Sequence, residues 1–177
     1  TTVEPVFVLG IDPGLSRCGY GAVRSEGIGS RGAEAVAVGV ITTPPGAALP
    51  DRLAELQGEL RALLAEFRPD AVAVERVFFQ TNVRTAMGVG QASGIAMAEA
   101  VAAGCVVEQY SPNQVKDAVA GWGGADKGEV ERMVRALLGL ERPVKPADAA
   151  DALALALTHL AHAPRLARIA SSTRRPR

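Results

Sequence analysis

The segment KPADAADALALAL, Lys145 to Leu157, sets Asp148 and Asp151 three positions apart in a run of alanine and leucine. On a helix that spacing makes them neighbours on one face, where two carboxylates repel unless a cation lies between them. The nearest lysine, Lys145, precedes Pro146 and is expected to face solvent. Taken alone, the segment reads more simply as a first helical turn carrying acids that suit the helix dipole. Two further acids alter that weighing. The apolar runs PVFVLGID (Pro5 to Asp12) and PDAVAVE (Pro69 to Glu75) both end in a carboxylate, Asp12 and Glu75. Carboxylate oxygens are hard ligands that suit magnesium or manganese, and two such ions side by side form the clamp used in phosphodiester hydrolysis. One strand-terminal acid means little. Two of them with a helical pair point to metal-assisted hydrolysis without naming a substrate.

The elements that must bring these acids together can be read in order. After Asp12, the turn PGLSRC leads to GYGAVR (Gly19 to Arg24), a hairpin partner, and AEAVAVGVIT (Ala33 to Thr42) adds a third strand. Leu49 to Phe67 places Leu53, Leu56, Leu60, Leu63 and Leu64 on one helical stripe. The strand ending at Glu75 is followed by a long helix, Asn82 to Gly104, and a fifth strand, Cys105 to Tyr110. SPNQVKDAVAG opens with a capping serine and a proline at the first helical position. A glycine-rich loop, GWGG, a further helix in ADKGEVERMVRALLGL, and the aspartate-bearing helix complete the chain. This order predicts an α/β fold, a five-stranded mixed sheet flanked by helices. If the fourth strand pairs parallel to the first, Asp12 and Glu75 emerge side by side at carboxyl ends, where open α/β sheets place their sites.

The 177 residues suffice for one domain with a full core. The expected division is a domain over 1–164 and a basic, flexible tail over 165–177. That tail, RLARIASSTRRPR, holds five arginines and no acid, so a formal charge of zero hides a body with 14 basic and 19 acidic groups. Such an arm either stays solvated or touches a polyanion. Cys18 and Cys105 lack neighbours at metal-ligand spacing and read as buried thiols of a reducing compartment. The absence of a signal-like N-terminus and of a spanning apolar run predicts a cytoplasmic protein with no membrane partner.

The segments GIDPGLSRCGYG, AVAVERVFFQTN, GQASG, SPNQVKDAVAGWGGADK and PADAADALALALTHL, in that order from about Val8 to Leu160, resemble the successive signatures of the RuvC family, the bacterial Holliday junction resolvases. The resemblance implies an RNase H-like fold and a homodimer that makes paired, magnesium-dependent incisions in four-way junction DNA during recombination and repair. It also implies two metal ions per site, manganese as a substitute, and work alongside the RuvA and RuvB branch-migration proteins. On that pattern Asp12, Glu75, Asp148 and Asp151 fall on the catalytic, metal-binding acids. Lys116 and Lys127 fall on basic residues that approach DNA, and Phe78 on an aromatic that contacts unstacked bases. Some relatives carry histidine where this chain has Asp148.

Other features read two ways. Phe79 contacts DNA or packs beneath the following helix, and Trp122 reads as a partly buried loop anchor rather than a DNA contact. Ala86, Gly90, Gly94 and Ala98 form a row of small residues facing either the chain's own sheet or the same helix of a second protomer. His159 and His162 read as surface or core histidines, with a supporting place behind the acids open to His159. Three rival functions stand beside resolution of junctions: a nuclease of the same fold acting on another branched DNA or an RNA–DNA hybrid, a catalytically idle junction-binding module, and an actin-like nucleotide-binding protein. The last needs two such domains, which this chain is too short to hold.

Overall fold

The computed structural model describes residues 5–26, 29–30, 32–76 and 83–173, with Arg84 and residues 164–173 described by backbone alone. Three strands come first, β1 (Val6–Asp12), β2 (Arg17–Ser25) and β3 (Ala33–Thr42), followed by α1 (Leu49–Phe67) and β4 (Ala71–Glu75). Then come α2 (Val83–Ala102), β5 (Val106–Tyr110), α3 (Pro112–Ala120), α4 (Lys127–Leu138) and α5 (Ala147–Thr173). The helix starts follow local chemistry. Ser111 with Gln114 and Asp126 with Glu129 form reciprocal capping boxes at α3 and α4, satisfying amides that a helix start leaves unpaired. Helix α5 continues to Thr173, through the position where the basic tail begins.

The sheet order is β3-β2-β1-β4-β5. The first three strands form the expected antiparallel meander, and β4 pairs parallel to both β1 and β5. One face carries α1 and α2: Leu56, Leu60 and Leu64 of α1 and Ala92, Ala96 and Ala100 of α2 pack with Leu9, Ile11, Val72 and Val74. The opposite face carries α5, whose Leu153, Leu157 and Leu160 join Val8, Val23 and Ala73, with Val119 of α3 and Val134 of α4 beside them.

Helix α5 lies almost backbone to backbone on β1 and β2. A Cβ at Gly10 would run into the carbonyl of Ala152, one at Gly19 into the carbonyl of Asp148, and one at Gly21 into Leu153. Glycine in a strand weakens it unless another backbone needs the room, and here a helix takes that room.

The alternatives for the small row on α2 separate. Ala92, Ala96 and Ala100 face the sheet, whereas an added Cβ at Gly90 or Gly94 would meet nothing within 4 Å among the described residues. The exposed surface of α2 also carries Val83, Met87 and Val101 at 75%, 57% and 64% exposure. Of the two cysteines only Cys18 is buried. Cys105 is partly exposed just before β5, its thiol donating to the Pro69 carbonyl.

Candidate active site

The site stands at the carboxyl edge of β1 and β4. Register pairs Ile11 with Val74, so the next residues along, Asp12 and Glu75, leave adjacent strands together. Asp12 also pairs with Gly19 of β2, and the Asp148 carbonyl packs over Gly19. The glycine seat of α5 thereby fixes where the helix begins, and Asp148 and Asp151, one turn apart, come to the same edge. All four carboxylates line one cleft of about 320 Å3, which Lys116 of α3 and Lys127 of α4 also line.

The electrostatics show what this placement entails. Burial pushes the Asp12 carboxyl up to about 7, and the negative charges of Glu75, Asp151 and Asp148 push the same way. Glu75 is raised as well, by burial first and by Asp151 second. The helical pair has cationic partners. Arg17 Nε donates to Asp148 Oδ2 at 2.8 Å, and Lys127 Nζ to Asp151 Oδ2 at 3.2 Å. Proximity to Asp151 raises Lys127 in turn. The counter-charge for the pair comes from these two residues, while Lys145 is exposed, as expected. Asp12 and Glu75, the more buried acids, form no ion pair among the described residues.

The donor set fits a hard divalent cation, since every donor is a carboxylate oxygen. Among the described residues, no three acidic, histidine or cysteine side chains are gathered closely enough to grip an ion without moving. The cleft is thus open and braced by Arg17 and Lys127.

Arg17 has a place in this site that its position in GLSRCGY does not reveal. It is 131 residues from Asp148, and only the packing of α5 on β2 brings them together. His159 is a core histidine. Its Nδ1 lies 3.0 Å from the Tyr110 hydroxyl, and burial lowers it to about 4, which keeps the ring neutral. Tyr110 pairs in register with Glu75, so this contact ties α5 to the strand beside that acid. Trp122 is half exposed and lies against Gly124. Phe78 and Phe79 lie outside the described residues.

A mixed five-stranded sheet with helices on both faces and acids at the carboxyl edge of its paired parallel strands makes this an α/β protein of the RNase H-like class. Residues 8–159 match the family model described as crossover junction endodeoxyribonuclease RuvC. The chain belongs to the RuvC family. A relative from Salinispora arenicola carrying that same description is 52% identical over 170 residues, 96% of this chain and 96% of the relative. Another, from Streptomyces avermitilis, is 52% identical over 157 residues, 89% and 88% of the two chains. The structure of Thermus thermophilus RuvC in complex with a Holliday junction substrate is similar with a TM-score of 0.85 at 41% identity, covering 90% of this chain and 96% of that one. The yeast mitochondrial Holliday junction resolvase, at 15% identity and a TM-score of 0.65, shares the fold.

Proposed function

We propose that this protein is a divalent-metal-dependent endonuclease that resolves Holliday junctions by paired, symmetric phosphodiester incisions in recombination and repair. The observation that carries the reading is the single cleft lined by Asp12, Glu75, Asp148 and Asp151 together with Lys116 and Lys127, in a chain of the RuvC family. The four carboxylates would hold two magnesium ions, with manganese as a substitute. Such ions would supply activation of the attacking water and stabilisation of the leaving oxygen. Holding a cation there would compete with the Arg17 and Lys127 pairs on Asp148 and Asp151. Lys127 and Lys116, which line the same cleft, face the negative DNA backbone, and Phe78 stacks on an unpaired base.

The metal requirement is directly testable. A labelled four-way junction should be cut in magnesium and left intact in EDTA. Calcium should support binding with little incision, because its longer and more flexible coordination positions water and phosphate poorly. Cutting at full rate in EDTA would remove the metal from the account.

Two coordinated nicks need two sites, so the active species is a homodimer. The open row at Gly90 and Gly94, flanked by exposed Val83, Met87 and Val101, supports α2 as the face where two copies meet. Gly90→Leu should shift the protein toward monomer in light scattering while its circular dichroism spectrum stays that of the folded protein, since a Cβ added there meets no described residue within 4 Å. A variant that stays as dimeric as the parent would move the interface elsewhere. Work beside RuvA and RuvB in the cytoplasm completes the proposal, with residues 165–177 a basic arm dispensable for incision.

A further inference from the structure

Beside the acidic cleft lies a second pocket of the opposite charge. It measures about 400 Å3 and is bounded by the β1–β2 loop with Ser16 and Arg17, by Arg52 at the start of α1, and by the first turns of α2. Among the described residues no acid lines it, and two arginines do. Arg52 is held in place by hydroxyls: its Nε donates to Thr43 Oγ1 at 3.0 Å and its Nη2 to Ser16 Oγ at 2.7 Å. Thr43 is buried and donates in turn to the Leu15 carbonyl, which fastens the whole arrangement to the loop after β1. Among the described residues no carboxylate pairs with Arg52.

Hydroxyls orient a guanidinium without neutralising it. Arg52 is therefore an oriented cation with no acidic partner among the described residues, and a guanidinium fork matches the oxygens of a phosphate, the anion a DNA strand supplies. Arg17 connects this pocket to the site, since the same side chain lines it and bonds Asp148. One arginine separates the acids that would hold cations from a pocket built for an anion.

We propose that Ser16, Arg17 and Arg52 form a subsite for an uncut backbone phosphate of the substrate strand, next to the phosphate at the acids. The subsite rests on the nuclease reading above. It fixes the strand's register over the acids by gripping a neighbouring phosphate, a contact that positions without reading sequence.

The test uses the full chain, a four-way junction, calcium in place of magnesium, and single neutral methylphosphonate linkages placed one at a time near the cleavage point. The wild type should lose about tenfold in affinity at one or two linkages flanking the scissile phosphate, the size of one charge-assisted contact. Arg52→Gln should bind about tenfold more weakly, with a salt slope flatter by about 0.9, and should lose clearly less than the wild type at those linkages, where Arg17 and Ser16 remain. Arg52→Lys should recover part of the slope. The subsite is overturned if Arg52→Gln keeps the wild-type salt slope. It is overturned equally if that variant is weaker overall yet loses as much affinity at the same linkages as the wild type, since a loosened loop would do that and a lost contact would not. A wild type that binds no junction at all would sink the nuclease reading and the subsite with it. A wild type that cuts normally beside an unchanged Arg52→Gln map would sink the subsite alone.

Discussion

Asp12→Asn, Glu75→Gln, Asp148→Asn and Asp151→Asn should each lower single-turnover cleavage of a four-way junction in magnesium by more than about a hundredfold, beyond the loss usual for a partner outside the ligand set. Each change keeps size and hydrogen-bonding capacity while removing one negative charge from a set of four that share a cleft. Binding of the junction, followed by fluorescence anisotropy in calcium, should hold or tighten, because one fewer carboxylate repels the DNA backbone. A mere fold defect would lower both. An amide variant that cuts at the wild-type rate would remove that residue from the ligand set, and for Asp148 or Asp151 would return the helical pair to the role of dipole decoration.

The second large effect is on stability and requires no substrate. Asp12 is pushed from 3.8 to about 7 in the folded protein. Between those values the folded state holds a proton that the unfolded chain has released, so stability is full below about 4, falls as pH rises and reaches its lowest level above about 7. The gap corresponds to at most about 4 kcal/mol. Asp12→Asn removes the ionisation, so in EDTA at pH 8 it should raise the melting midpoint by several degrees, about 2–4 °C per kcal/mol for a chain of this size. At pH 4 the gain should nearly vanish. Magnesium should then stabilise the wild type more than the variant, since an ion that binds only the folded state shifts the midpoint by mass action. An equal gain at both pH values would show that Asp12 ionises freely in the folded protein.

Much of this site was visible in one dimension because its parts are periodic or terminal. Apolar runs that stop at an acid mark β1 and β4, and a three-residue spacing marks the pair on α5. The leucine stripe of α1 was equally plain, and Leu56, Leu60 and Leu64 bury as their spacing requires. What the sequence could not show depends on elements meeting. Gly10, Gly19 and Gly21 are conspicuous within strands, yet only the packed helix reveals that they seat α5 and so aim Asp148 at Asp12. The braces on the helical pair come from Arg17 and Lys127, far away along the chain, and no local spacing predicts either. Helix α2 is ambiguous for another reason: alanine, glycine and serine occur on several of its faces, so periodicity cannot tell the buried row at Ala92, Ala96 and Ala100 from the open one at Gly90 and Gly94.

The most direct test of the account is a competition in one tube. A labelled four-way junction, a matched duplex and a matched RNA–DNA hybrid at equal concentration are incubated with the full chain in magnesium, and the products of each are resolved on a denaturing gel. The account predicts two nicks at symmetric positions on opposing strands of the junction, with the duplex and the hybrid left essentially whole. Cutting of the hybrid at the junction's rate or faster, or a junction that receives only unpaired, scattered nicks, would contradict it.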